Sequence, residues 1–260
     1  MKKKKKSKKK RFSLVNKISF YNIHNTILLN LQLVMQYHII SIFPEIFDSF
    51  LQTSLIWKAQ QQGHISCNIV NPRDFCTDKH QQIDDTPYGW WTGMLLKAPP
   101  IIKSIKYILQ KYIKKAKVKV ILLSPSQHIF CQKDAHHLVE NYEHIIFLCW
   151  RYEGIDHRVN LRCQEQFQED FAVISLGKFV TMWWEVPSMM IIEATARLLP
   201  QVIKEKESWK HESYRPEYGE NSIEYPQYTR PQKVEWFPVP DILLSWNHAQ
   251  IEQWRKKQWK

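Results

Sequence analysis

Glycine is scarce here, with six residues in 260 where about 7% is usual. No G-x-G-x-x-G turn follows a strand and no P-loop is present, which excludes the common dinucleotide and nucleoside-triphosphate cradles. The turn after the first strong strand, Phe43-Pro44-Glu45-Ile46-Phe47, contains no glycine at all. The five cysteines (67, 76, 131, 149, 163) form no C-x-x-C pair and no Cys/His cluster at zinc spacing. That argues against a structural metal and points to a reducing cytoplasm. No apolar run is long enough to span a bilayer; residues 27–35 come nearest and are broken by Asn30 and Gln32. Acidic residues are absent from residues 1–34, which hold ten Lys/Arg, so the net charge of +12 falls to +2 for the remainder. A run of like charges is a solvated, disordered extension more often than a nucleic-acid or lipid patch. Its lysine-rich start is followed by no small-residue cleavage site. The alternative is that Met35, directly before the strand QYHIISIF, is the true start, leaving residues 1–34 as translated leader.

With 44% hydrophobic and 24% charged residues, the chain can bury a substantial core. Short β-branched runs at 38–43, 65–70, 118–124, 144–149 and 171–176 alternate with helical patterns that end near 62, cover 101–113 and cover 188–199. Strands that are apolar almost throughout and separated by helices specify an α/β fold with a parallel sheet covered on both faces. Apolar periodicity stops over 204–230, which reads as a linker. It resumes in a short C-terminal segment whose helix is capped by Asn247 or Ser245.

Four segments carry more than a fold: IISIFPEIF (39–47), NPRDFCTDKHQQIDDTPYG (71–89), RYEGIDHRV (151–159), and YTRP (228–231) followed by VPDILLSWNHAQIEQWR (239–255). In this order and spacing they resemble the bacterial tRNA (guanine-N1)-methyltransferases of the TrmD family, SPOUT class, over nearly everything from Met35 onward. The resemblance implies a trefoil-knotted parallel sheet as the catalytic domain over 35–203, an interdomain linker over 204–230 and a small helical tRNA-binding domain over 231–260. It implies S-adenosylmethionine as methyl donor, held bent against Leu122, Leu123, Ser124 and Pro125, against Trp150, Tyr152 and Glu153, and against Leu176, Gly177, Lys178, Phe179, Val180 and Thr181, with Trp183, Trp184 and Pro187 beyond. Asp84, Asp85, Tyr88 and Gly89 would face the guanosine and the anticodon stem-loop, while Arg230, Asn247 and His248 would contact tRNA from the C-terminal domain. Arg255, Lys256 and Lys257 could position phosphates. A cytoplasmic homodimer, no membrane, and Mg²⁺ as an accessory ion are implied in the same way, the last without any metal motif.

The reaction this resemblance implies is methyl transfer from the donor sulfonium to N1 of guanosine 37. Neutral guanine carries a proton on N1, so a general base must remove it as the bond forms, and a cation helps as density shifts to O6. The resemblance assigns the cation to Arg197 and the base to Glu212, which stands where the family has aspartate, one methylene shorter. Plainer roles compete at each position. Glu212 could be a solvated linker acid, Arg197 the i,i+4 partner of Glu193, Asp84 to Pro87 a turn, and Asn247 to Gln250 a capping box. His136 and His137 belong on an exposed helix face rather than at a metal.

The missing glycines have a counterpart in tryptophan. Eleven are present, and eight of them (Trp57, Trp90, Trp91, Trp150, Trp183, Trp184, Trp236, Trp246) stand where the family pattern has glycine. Returning those eight gives fourteen glycines and three tryptophans, a nearly ordinary composition. The pattern implies a gene that uses UGA for glycine, read here with UGA as tryptophan. Genuine tryptophans would have to put three indoles into the donor pocket and hold some of the eight at φ > 0, at roughly 1 to 2 kcal/mol each. The chain would then be an RNA-binding pseudoenzyme.

Overall fold

The structure, a computed structural model, describes residues 34–89, 92–126, 128–203, 212–214 and 221–259. The expected leader therefore lies outside the described residues apart from Val34, as do Trp90, Trp91 and most of the linker. The first strand, β1 (Met35–Ile40), is followed by a 3₁₀ turn over Pro44–Phe47 and helices α1 (Asp48–Leu51) and α2 (Ser54–Gln61). Next come β2 (Ile65–Val70), a two-residue hairpin of β3 (Asp84–Asp85) and β4 (Leu95–Leu96), helix α3 (Ala98–Tyr112) and β5 (Val118–Leu123). Helix α4 (Gln132–Asn141), β6 (His144–Leu148), α5 (His157–Phe167), β7 (Phe171–Ile174) and α6 (Glu185–Ala196) complete the main body. A C-terminal unit holds the hairpin β8 (Lys233–Val234) and β9 (Phe237–Pro238), then α7 (Asp241–Leu244) and α8 (His248–Gln258).

Five strands form one parallel sheet in the order β2-β1-β6-β5-β7, as the continuous apolar runs require. Alternation along each strand sorts the core into two layers. Tyr37 and Ile39, Ile121 and Leu123, and Ile145 and Phe147 meet α2, α4 and α6 on one face. Ile40, Val120, Leu122, Ile146 and Leu148 meet α3 and α5 on the other. Two helix starts come earlier than the periodicity placed them. Pro99 and Pro100 fit the first turn of α3, where no N–H bond is lost, and α6 begins at Glu185 because its carboxylate is buried rather than solvated. Within the expected helix ending near 62, the chain breaks at Ser54, which has φ of +51°. His136 and His137 fall on α4, half-buried and exposed respectively.

Away from the carboxyl edge, His38 and His144 stack at 5.3 Å and share a 3.0 Å hydrogen bond between ring nitrogens. Burial, reinforced by the neighbouring His144, lowers His38 to about 4; burial also lowers His144, against the pull of Glu143. The folded values lie below the unfolded ones, so this stability is complete above about pH 6.5 and is lost as pH falls toward 4. Urea unfolding at pH 7 and pH 4.5 is expected to show a loss on the order of 2 to 3 kcal/mol from His38. His38→Phe is expected to flatten that difference; an unchanged pH slope would refute the assignment.

Candidate active site at the carboxyl edge of the sheet

Parallel strands end together, and in open α/β sheets ligands bind beyond their carboxyl ends. Ile40 pairs with Leu148, Leu122 with Leu148 and Leu123 with Ile174, so the segments starting at Ser41, Ser124, Cys149 and Ser175 emerge at one edge. The Ser124 N–H donates to the Ile174 carbonyl at 3.0 Å, and the Ser175 hydroxyl donates to the Gly177 carbonyl at 2.7 Å. These bonds fix two of the expected donor loops, 122–125 and 176–181, side by side. Gly177 is tight: a Cβ there would stand 2.4 Å from the Phe179 ring. Leu122 and Leu123 point their side chains into the two core layers, so only their main chain can meet a ligand. Pro187 is buried in α6, whereas Pro125, Tyr152, Glu153, Lys178, Phe179 and Val180 are exposed, and Ser124, Leu176 and Thr181 are half-buried.

Two indoles occupy the space these loops frame. Trp150 donates its Nε1 hydrogen to the Leu123 carbonyl at 2.5 Å and stacks on Trp184 at 5.1 Å, and Trp184 is 2% exposed. The expected third indole is elsewhere. Trp183 is 42% exposed and lies over the guanidinium of Arg151, 4.1 Å from its ring centroid, with Phe43 on the guanidinium at 4.2 Å. A bent adenosyl donor, as the resemblance implies, would meet the Leu123 carbonyl here; the Trp150 indole already holds that carbonyl, and the Phe179 ring covers the main chain at Gly177. Of the six described tryptophans at glycine positions, Trp246 alone takes the left-handed backbone, at φ of +57°. The expectation of several strained indoles reduces to that one.

Beneath the loops lies a polar group the sequence did not reveal. Glu185, fully buried, accepts a 2.7 Å hydrogen bond from the Ser41 hydroxyl and pairs with Arg151 at 3.4 Å. Its signal was a lone acid at the head of the otherwise apolar run VPSMMII.

Arg197 follows α6 as its C-cap. Its guanidinium grips Glu212 with both nitrogens: Nη1 donates to Oε2 at 2.8 Å and Nη2 to Oε1. That hydrogen bond raises the arginine above its ordinary value. The guanidinium goes to Glu212 rather than Glu193, while the Glu193 carbonyl accepts from the Arg197 main-chain N–H at 3.4 Å and the Glu193 charge also favours the protonated arginine, so the i,i+4 relation coexists with the Glu212 pair. The segment after Glu212 is held by Tyr214 N–H to the Ser222 carbonyl at 2.7 Å and by Glu224 N–H to the Ser213 hydroxyl at 3.0 Å.

Asp84 and Asp85 form a strand rather than a turn, pairing antiparallel with Leu96 and Leu95; Lys97 stands 3.8 Å from Asp85. Tyr88, at the tip of this hairpin, is 99% exposed, and Gly89 has φ of +91°. In the C-terminal unit, Asn247 caps α8 by accepting from Gln250 N–H at 3.2 Å. His248 borders an open cleft of about 480 Å³ with Trp246, Ile251 and Arg255, and Arg230 is exposed. Tyr225 and Tyr228, from the segment read as linker, pack on Trp259 and Trp254. Among the described residues no group of three or more His, Cys, Asp or Glu is placed to hold a metal ion, and no helix is long and apolar enough to cross a membrane.

The family model described as tRNA (Guanine-1)-methyltransferase TrmD matches residues 35–260. The chain belongs to that family. It is 41% identical over 223 residues to the tRNA (guanine-N(1)-)-methyltransferase of Metamycoplasma arthritidis, covering 86% of this chain and 90% of that one. With the protein of the same name from Dictyoglomus turgidum it shares 40% over 225 residues, 86% and 85% of the two chains. The crystal structure of the tRNA (m1G37) methyltransferase from Aquifex aeolicus superposes with a TM-score of 0.66 at 30% identity, covering 85% of this chain and 87% of that one. Relatives over this whole length are named as enzymes, and the RNA-binding pseudoenzyme finds no support among them. The α/β TrmD architecture expected from the sequence is therefore the one this chain has.

Proposed function

We infer that this TrmD-family chain methylates N1 of guanosine 37 in tRNA, with S-adenosylmethionine as donor. The observation that carries the chemistry is the two-pronged contact of Arg197 with Glu212. It supports a reading in which the Glu212 carboxylate takes the N1 proton and the Arg197 cation meets negative charge on O6. When bound, the donor supplies an electrophilic methyl on a sulfonium. The chain's own part is to hold the guanine, remove its proton at Glu212 and exclude water. Asp84, Asp85, Tyr88 and Gly89 would receive the base after it leaves its stack, with Arg230, Asn247 and His248 gripping the anticodon stem-loop. The catalytic, linker and C-terminal divisions at 35–203, 204–230 and 231–260, the trefoil crossing, and Mg²⁺ as an accessory ion belong to the same reading.

A homodimer fits the surface. Helix α6 is apolar nearly all round, which suits a helix covered on every side, yet Val186 and Met190, with Val180 and Met182 leading in, remain exposed. A second copy laid on that face would cover them. Five unpaired cysteines suit a cytoplasmic location. The test uses protein produced with glycine at the eight positions, labelled S-adenosylmethionine, and tRNA transcripts carrying G37 or A37. N1-methylguanosine is expected in the G37 transcript alone, from a species that sediments at twice its chain mass. Unmodified G37 transcripts would overturn the activity, and a monomer would overturn the dimer.

A further inference from the structure

The hairpin that carries Asp84, Asp85, Tyr88 and Gly89 is bonded to the loop that carries Glu153. Glu153 N–H donates to the Met94 carbonyl at 3.1 Å, Leu96 N–H to the Gly154 carbonyl at 3.0 Å, and Asp156 N–H to the Leu96 carbonyl at 3.0 Å. Leu96 and Ile155 form a parallel bridge, while Leu96 also pairs with Asp84 across the hairpin. One strand residue thus belongs to both loops at once.

At the mouth of this junction sits Gly93. Its φ is +99°, and a Cβ built on it would stand 2.3 Å from Glu153 Cγ and 2.9 Å from Oε1. Real Cβ atoms do not approach so closely, so the Glu153 side chain uses the space that the missing Gly93 side chain leaves. We propose that Gly93 is a positioning residue: it seats Glu153 and thereby locks the guanosine-side hairpin to the donor-side loop, so that base and methyl group are presented in fixed register. This rests on the assignment of those two loops to the two substrates. Orientation of two bound reactants can dominate a rate without changing how tightly either is held.

Side-chain clash must be separated from backbone strain, because any L-residue at φ of +99° is strained. Gly63 supplies the comparison, with φ of +73° and nothing within 4 Å of its Cβ. Hydrogen exchange on the full chain would compare Gly93→Ala, Gly63→Ala, Glu153→Ala and the double variant Gly93→Ala/Glu153→Ala. Gly93→Ala is expected to speed exchange at the Glu153, Leu96 and Asp156 amides together, by about tenfold or more, whereas Gly63→Ala leaves those amides as in the parent. The double variant is expected to exchange there like Glu153→Ala alone. Initial rates of methyl transfer should show a roughly tenfold lower kcat for Gly93→Ala, with KM for tRNA and donor within about threefold of the parent. Parental exchange in Gly93→Ala would overturn the proposal. A double variant less protected than Glu153→Ala alone would do so too, by assigning the excess to backbone strain. A parent with glycine at the eight positions that methylates nothing counts against the proposed function; the exchange measurements still decide the role of Gly93.

Discussion

Trp150→Gly is expected to raise the affinity for S-adenosylmethionine by roughly 30- to 150-fold over the chain bearing tryptophan. The indole is a flat bicycle that gives its N–H to the Leu123 carbonyl and its face to Trp184, so it satisfies the frame an adenine would otherwise use. A ligand entering must first displace it. The hydrogen bond contributes about 1 kcal/mol and the aromatic pair about 0.5 to 1.5 kcal/mol. With lost packing against both core layers, the self-occupied state is favoured by roughly 2 to 3 kcal/mol. The apparent dissociation constant is the intrinsic one divided by the open fraction, and each 1.4 kcal/mol is a factor of about ten. Removing the indole leaves a cavity and costs on the order of 3 to 5 kcal/mol of stability. The Trp150→Gly/Trp184→Gly chain, with partner indoles removed together, is the companion measurement. Calorimetric titration showing equal affinity in all three chains would refute the blockage. UGG codons at 90, 91, 183 and 184 would separately remove the recoding account, leaving the indoles as genuine plugs.

The sheet was legible because burial on both faces makes each strand a continuous apolar run, and five such runs need no tertiary information to be recognised. Strands β2, β5, β6 and β7 lie within a residue or two of where their β-branched residues place them. The short hairpin of Asp84 and Asp85 was not legible, since two-residue strands carry no periodicity; long-range bonds from Lys97 N–H to the Ile83 carbonyl and along Leu96 hold it. Composition suggested a turn there, and tertiary pairing prevailed. The Glu185 site was hidden for a related reason. A carboxylate beside Pro187 on an amphipathic surface would look the same in sequence, and only the arrival of Ser41 and Arg151 from two other strand ends explains its burial. Glu212 and Arg197, by contrast, were paired by family resemblance before any geometry, and the structure supplies their contact. Their separation by 15 residues, across a segment without apolar periodicity, gives pattern reasoning nothing to work with.

Glu212→Gln is expected to lower kcat for methyl transfer by about 10² to 10⁴, the range of a lost general base, while leaving donor affinity within about twofold. The split follows from position: Glu212 is held by Arg197 after α6, whereas the donor frame is built from the ends of β5 and β7 and the loop after β6. Glutamine keeps the size and can still accept a hydrogen bond from the guanidinium, but it cannot take the N1 proton. Glu212→Asp moves the carboxylate back by one methylene and restores the residue type of the family, so it is expected to retain measurable turnover. Arg197→Lys should fall between, because an ammonium keeps the charge without the two-pronged geometry. Mixing Glu212→Gln chains with Gly177→Ala chains, whose added methyl meets the Phe179 ring, tests which subunit the acid serves. Restored activity in the mixture means that Glu212 acts at its partner's donor pocket. An inactive mixture, from chains shown to exchange subunits, assigns acid and pocket to one chain. Parental turnover in Glu212→Gln would show that the proton leaves N1 by another route, and the Arg197 pair would then be structural.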